Sequence, residues 1–364
     1  MNVTEIDSNF KIPDDVQRED LVWHDVRTAP VSIYGLCDPT DPSSPFHRFP
    51  FDVGERVGGK VKDLNLRPAG GRIRFTTDSP YIALLCETHY KIGVMPHMPL
   101  SGAQGFDLYR NRENGEAVFV KPFMPPSDRV GEFGFAGIIE VGEGKARSFT
   151  LNFPPYGTVK NLRIGLKKGS SLSDGLPYRN RLPAVFYGSS ITEGACASRP
   201  GLTYQAILSK YLNLDFVNLD FVNLGFAGAA KGEPELVEYM AGLDMSCFVS
   251  DYDHNAPSLE HLQATLPPLY RAVREKNPSL PFVFMTAPGT HGGGRKIRRD
   301  YIESVWRDAA SAGDRNVYFV DGYTVFAGDL EDECTVEWCH PNDLGMRKMA
   351  LALLPIFKKI YEIK

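Results

Sequence analysis

At 364 residues the chain is longer than one domain of ordinary size, and a composition 43% apolar and 23% charged is that of a folded globular protein rather than a disordered or fibrous one. Forty basic against 45 acidic residues leave a formal charge of −5, so electrostatics give no case for nucleic acid or an anionic membrane as partner. No apolar run approaches the roughly 18–20 residues needed to span a bilayer. The N-terminus MNVTEIDSNFKIPDD has no basic segment leading into an apolar core. The six cysteines (Cys37, Cys86, Cys196, Cys247, Cys334 and Cys339) are scattered and read as free thiols of a reducing compartment, so the expectation is a cytoplasmic protein without membrane attachment.

The first half of the chain reads as β. In GGRIRFTTDS, Ile73 and Phe75 alternate with Arg72 and Arg74; SFTLNF and NLRIGL repeat the pattern with Phe149, Leu151, Phe153 and Leu162, Ile164, Leu166. Such a period of two marks half-buried antiparallel strands. Asn114-Gly115 between FDLYR and EAVFV predicts a hairpin, because this pair tolerates positive φ at both turn positions. A loop over 91–104, containing His97 and Met98, leads into the strand GFDLY. Residues 1–175 are therefore predicted to form a β-sandwich, and the polar stretch KKGSSLSDGLPYRNRLP (167–183) a linker.

The rhythm then changes over 181–364. Short apolar strands (AVFY, FVNLG, CFVSD, FVFMT, VYFVD) alternate with helical stretches at 202–212, 233–242, 258–276, 297–312 and 343–362. Alternation of this kind implies βαβ crossovers and a parallel sheet with helices on both faces. Active sites of such sheets lie beyond the carboxyl ends of the strands. NLDFV occurs twice in tandem at 213–222; a shift of five puts Leu214 and Leu219 on opposite faces, and the second copy is expected to lead the strand into Gly225, with the first as connection or strand extension.

Chemistry gathers where those strands end. Ser190 in AVFYGSSITEG follows the first strand and is either a helix cap or a nucleophile. NLGFAG (223–228) places Gly225 and Gly228 after the second strand, SDYDHNAP (250–257) places Asn255 after the third, and EWCHPND (337–343) carries His340 ahead of the last helix. A serine needs a base to take its proton, and histidine serves near neutral pH. A developing oxyanion needs fixed donors; the Ser190 and Gly228 backbone N–H groups and the Asn255 amide are of that type.

These blocks resemble the SGNH (GDSL-type) hydrolases, and more closely a subgroup whose N-terminal β-domain carries the pattern GxDLY, here GFDLY at 105–109, with SRPG at 198–201 also fitting. The resemblance covers both halves. It implies a flavodoxin-like α/β catalytic domain behind a β-sandwich, and a serine esterase, often removing acetyl groups from carbohydrates. The family's four named positions fall on Ser190, Gly228, Asn255 and His340. The family's triad acid, three residues before the histidine, is Glu337 here in place of the usual Asp, and the aspartate before the nucleophile is replaced by Ser189. Glu337 orients the imidazole through Nδ1–H if its extra methylene is accommodated; otherwise a Ser–His dyad remains. Trp338 stands where the family usually has a small residue and is a candidate wall of the acyl pocket; Arg199 and His97 are candidates for substrate contact. Asp107 and Tyr109 read as structural.

Other assignments fit less well. An α/β-hydrolase elbow needs glycine where Thr192 stands, and HGGG (291–294) follows the serine instead of preceding it. Cys334, Cys339, His340 and His291 lack the paired spacing of a zinc site, and GFAGAAKG lacks the P-loop pattern. Cys196 and Cys339 read as packing residues, and Asp251 as capping its strand or steadying the cleft. The expected reaction is hydrolysis of a small-molecule or oligosaccharide ester through an acyl-enzyme, with no metal or organic cofactor. The alternatives are a non-catalytic carbohydrate-binding protein on the same scaffold, or a thioesterase or peptidase using the same residues.

Overall fold

The structure, a computed structural model, describes residues 16–28, 30–88, 95–113, 115–126, 134–220, 231–327 and 331–363. Contacts divide the chain into two compact units: 1–48 with 66–177 and 198–201, and 49–65 with 178–197 and 202–364.

The first unit holds β1 (Leu21–Asp25), β2 (Ser32–Tyr34), β3 (Arg72–Thr77), β4 (Tyr81–Glu87), β5 (Phe106–Asn111), β6 (Ala117–Phe123), β7 (Gly134–Glu140), β8 (Arg147–Asn152), β9 (Asn161–Lys167) and β10 (Leu172–Asp174). One sheet runs β1-β9-β4-β7 and the other β10-β3-β8-β5-β6, with β2 beside β3. Ile73 and Phe75 pair with Leu151 and Phe149 across β3–β8. They share one apolar cluster with Ile82, Leu84, Ile164 and Leu166 of the other sheet, which makes this a sandwich. The alternation did not mark a solvated outer face on β3: Arg72 and Arg74 are buried too, and Arg74 Nε donates to Thr150 Oγ1 at 3.2 Å. The β5–β6 hairpin forms, with Gly115 at φ 89°; Asn114 lies outside the described residues.

Short helices escaped the periodicity reading, among them α1 (Phe51–Val57) and α2 (Lys60–Leu64), both in the second unit, and α3 (Leu100–Ala103) in the first. A helix of one or two turns is too short to display a 3.6-residue pattern.

In the second unit, β11 (Ala184–Gly188), β12 (Phe216–Asp220), β13 (Cys247–Asp251), β14 (Phe282–Met285) and β15 (Val317–Val320) form a parallel sheet in the order β12-β11-β13-β14-β15. That order, 2-1-3-4-5, is flavodoxin-like and opens its crevice at the carboxyl end of the first strand. The helices are α4 (Ser190–Glu193), α5 (Tyr204–Leu212), α6 (Pro234–Ala241), α7 (Leu259–Lys276), α8 (Arg295–Ser311), α9 (Gly322–Val325) and α10 (Asp343–Ile360). Side chains that start them satisfy first-turn amides: Ser258 Oγ accepts from His261 N at 3.2 Å, and Asn342 Oδ1 accepts from Leu344 N at 3.0 Å. Strand alternation divides the sheet's faces. Val283 and Met285 join the cluster containing Met346, Leu353 and Phe357 of α10, while Phe282 and Phe284 meet Tyr270 of α7. With both faces covered, the strands read as continuous apolar runs.

The tandem repeat lies partly outside the described residues. β12 straddles the two copies of NLDFV, taking Phe216 and Val217 from the first and Asn218, Leu219 and Asp220 from the second; the predicted strand FVNLG begins beyond it, outside the described residues. Leu214 and Phe216 face the α10 side, and Leu219, at an odd separation, is also fully buried. Among the described residues no helix is long and apolar enough to cross a membrane.

Candidate active site

The two serines after β11 divide the work that the sequence left open. Ser189 is the cap: its Oγ accepts from Ile191 N at 3.2 Å, and its own N–H donates to Thr192 Oγ1 at 3.2 Å. Ser190 is thereby left as the first residue of α4, where helix geometry gives the backbone N–H no intrahelical acceptor. The turn is tight enough to require Gly188, because a Cβ there would meet Thr192 Oγ1 at 1.9 Å. Thr192 in turn donates to Asp251 Oδ2 at 3.0 Å, as does Tyr204 Oη at 2.9 Å. Asp251 ends β13 opposite Gly188 and is fully enclosed; burial, with Asp253 adding to it, pushes its carboxyl up to about 8 against the pull of its two donors. A largely protonated carboxyl is therefore the pin beneath the nucleophile turn, which bears out Asp251 as a group steadying the cleft.

Ser190 Oγ lies 2.8 Å from His340 Nε2. On the far side of the ring Nδ1 contacts Glu337 Oε1, and the same oxygen accepts the His340 backbone N–H at 3.0 Å. The turn that carries both is closed by its own bonds: Thr335 bridges Pro341, Val336 N donates to His340 O at 3.0 Å, and Trp338 N donates to Thr335 Oγ1 at 3.1 Å. Serine, histidine and glutamate thus form one continuous line of hydrogen bonds.

Trp338 sits at the crown of that turn with φ 65°, in the left-handed region that favours glycine. This accounts for the small residue the resemblance led one to expect. Its indole is 47% exposed and stacks on His291 of the HGGG segment, centroids 4.0 Å apart and 21° between planes. Stacking of this kind offsets backbone strain of about 1–2 kcal/mol.

Asn255 closes the 3-10 turn Asp253–Asn255 after β13 and is buried; β13 pairs directly with β11, so Asn255 and Ser190 leave adjacent strand ends. Gly228 lies outside the described residues. Arg199 and His97 belong to the first unit. Arg199 stacks its guanidinium over Phe119 at 3.6 Å and donates to Tyr109 Oη at 3.4 Å. Asp107 joins this arrangement, accepting from Gly201 N at 2.9 Å and Asn152 Nδ2 at 2.8 Å, so the acidic and tyrosyl positions of GFDLY hold the SRPG segment. Gly201 is needed there, since a Cβ would lie 2.4 Å from the Tyr109 ring. His97 is partly exposed in a turn before α3.

Tyr204 and Thr192 escaped the sequence reading as site components, and His254 entered it only beside Asp251 and Asp253 as a cation ligand ranked below the capping role of Asp251. His254 Nε2 lies 3.1 Å from Cys339 Sγ. Burial, with the charges of Arg295, His340 and Arg298 adding to it, pushes His254 down to about 3, so it is neutral at physiological pH. Burial pushes the Cys339 thiol up to about 11. A cavity of about 200 Å³ opens among Asp253, His254, Gly292, Gly293 and Arg295. A larger groove of about 680 Å³ between α6 and α7 contains none of these residues; it is apolar and has no reacting constellation.

The profile of the GDSL-like lipase/acylhydrolase family matches residues 181–358, and that of the N-terminus of SGNH-hydrolase-type esterases, GxDLY, matches 21–172. No curated protein matches the sequence. Among solved structures, a Bacteroides ovatus protein described as a GDSL-like lipase is 26% identical, with 94% of this chain and 99% of that one covered at a TM-score of 0.81. The salicylyl-acyltransferase SsfX3 of a tetracycline biosynthetic pathway is 17% identical over 95% and 99%, at 0.74. A family two carbohydrate esterase from Clostridium thermocellum, in complex with cellohexaose, is 15% identical over 90% and 98%, at 0.60.

Proposed function

The chain belongs to the GDSL-like lipase/acylhydrolase family and is an ester hydrolase, and from that premise we propose that it removes a short acyl group, acetyl above all, from a carbohydrate, with Ser190 as nucleophile. The observation that carries the reading is the unbroken line from Ser190 Oγ through the His340 ring to Glu337. In this reading Ser190 Oγ attacks the ester carbonyl while His340 Nε2 takes its proton, and the imidazolium returns that proton to the departing sugar alkoxide. Glu337 fixes the ring with Nδ1–H toward itself and stabilises its charged form. The tetrahedral oxyanion is held by the Ser190 N–H and the Asn255 side-chain amide, with the Gly228 N–H assigned by its motif position; each such donor contributes about 2.7–4 kcal/mol to the transition state. Water, activated by the same histidine, then releases the acid.

The sugar is supported by the carbohydrate esterase among the structural relatives, and the short acyl group by Trp338, two residues before His340 in the same turn, with its indole stacked on His291. The test is acetate release from a panel of acetylated mono- and oligosaccharides, compared with butyryl esters and thioesters of matched alcohols. Acetyl sugars are expected to be turned over fastest, and Ser190→Ala to abolish the activity. Preference for thioesters, or transfer of the acyl group to an added alcohol in place of water, would replace the substrate assignment while leaving the nucleophile in place. Tight sugar binding with no turnover would replace it with a binding role.

A further inference from the structure

The turn that carries the proposed base holds more donor chemistry than the hydrolysis uses. A carboxylate oxygen of Glu337, the Cys339 sulfur and a ring nitrogen of His340 all lie within 4.8 Å of one another. The His254 nitrogen lies 3.1 Å from that sulfur and backs it from the buried side, outside the converging group. Thiolate, imidazole and carboxylate are the ligand types of zinc, whose tetrahedral bonds of about 2.0–2.3 Å place ligand atoms roughly 3.5 Å apart. The left-handed backbone at Trp338 folds the turn so that residues 337, 339 and 340 converge, and Glu337 is open to solvent at its rim. Cys334, the other cysteine of this segment, is fully buried in the core and takes no part.

We propose that Glu337, Cys339 and His340, with solvent completing the shell, form a latent site for a thiophilic divalent cation, Zn2+ above all, and that an ion bound there switches the ester hydrolase off. Binding proceeds by loss of the Cys339 thiol proton to solvent and formation of a sulfur–metal bond. His340, neutral with its proton on Nδ1 toward Glu337, gives its Nδ1 lone pair to the ion, and its ring proton then resides on Nε2. The Glu337 carboxylate passes from the N–H to the metal. One proton is released in all, and Nε2 becomes a donor that no longer accepts the proton of Ser190. The inhibition rests on the proposed role of His340; the binding does not.

The experiment uses the full chain, freed of chelators and tags. Cd2+ is added without substrate and the thiolate-to-metal charge-transfer absorption is recorded; Zn2+ binding is followed by calorimetry. Cys37, Asp38 and His47 make a similar donor group in the first unit, so Cys37→Ser is measured beside Cys339→Ser and Cys339→Ala. The expected result is one cation held through Cys339. The band is lost and Zn2+ affinity falls by at least about tenfold in both Cys339 variants, and both are kept in Cys37→Ser. Ester hydrolysis by the parent protein then falls with the same midpoint in Zn2+ and recovers with EDTA. A band that survives the Cys339 variants, or vanishes in Cys37→Ser instead, overturns the site. A cation held through Cys339 with hydrolysis unchanged overturns the switch. A chain that binds the ion as expected but hydrolyses no ester counts against the proposed function alone.

Discussion

The two ends of the proposed catalytic line are built in opposite ways. The nucleophile turn is buried throughout: Ser189, Ser190, Thr192 and Glu193 are each no more than 3% exposed, and the cap, Gly188, Asp251 and Tyr204 hold the turn from several sides. The turn bearing the base is a surface loop, closed by one isolated bridge and a few backbone bonds, with Glu337 open to solvent and Trp338 half-exposed. Serine placement therefore depends on packing, which tolerates little change, whereas histidine placement depends on a hydrogen-bonded acid, which tolerates variation in length. That contrast is what the proposed role of Glu337, in place of the aspartate the resemblance implies, rests on.

The largest effect belongs to the line itself. Ser190→Ala and His340→Ala are each expected to reduce kcat by roughly 10⁶-fold, and the double variant scarcely further, because the pair acts as a unit. Glu337→Gln, which leaves the shape intact but misdirects the tautomer, is expected to cost up to about 10⁴-fold. Glu337→Asp is expected to recover most of that loss if the exposed turn adjusts as the comparison requires.

The buried end is broken by sterics. Gly188→Ala introduces a Cβ 1.9 Å from Thr192 Oγ1, so either the cap or the pin to Asp251 must give way. Chemical denaturation is expected to show a loss of about 1–3 kcal/mol, accompanied by a fall in kcat, while the melting transition stays cooperative.

Asp251 supplies a pH signature for the same end. Its folded-state pKa of about 8 against an ordinary 3.8 means that the folded chain binds the additional proton between those values, so its contribution to stability declines as pH rises through that window. His254 opposes it at the acid side: lowered from 6.5 to about 3, it makes the unfolded chain the better proton acceptor, and stability falls as pH drops through that range. Between about pH 6.5 and 8 only the Asp251 trend remains of the two, at most about 1.4 kcal/mol per pH unit. Urea midpoints of Asp251→Asn are expected to flatten across this interval relative to the parent.

The smallest effect is at the crown of the exposed turn. Trp338→Gly relieves a left-handed tryptophan and loses the stack on His291, two terms of about 1 kcal/mol and opposite sign, so stability should scarcely change. The informative readout is chain length: butyryl and hexanoyl esters should gain on acetyl if the indole walls the acyl pocket.

Ser190 and Asn255 were legible as candidates because each follows a strand end, and local spacing survives without coordinates; Glu337 was a candidate only through the family resemblance, and the structure joins it with His340 and Ser190 by hydrogen bonds. The parallel sheet was legible through its apolar runs. The role of Asp251 was only half legible, because a carboxyl becomes a neutral pin through enclosure by residues distant in the chain. Arg199 was a candidate for substrate contact, and its partners Phe119 and Tyr109 were not legible because they come from a hairpin that sequence alone does not bring to it. The strand through the repeat was legible only in part, because both copies of NLDFV carry the same pattern, periodicity cannot choose between them, and β12 takes residues from each.

The most direct test of the central claim is labelling with a fluorophosphonate probe, parent and Ser190→Ala side by side, with the adduct located by peptide mass. The account predicts one adduct on Ser190, absent from the variant and slowed in Glu337→Gln. A folded parent protein that acquires no adduct, or acquires it on another serine, would contradict the line from Ser190 through His340 to Glu337 as the catalytic machinery.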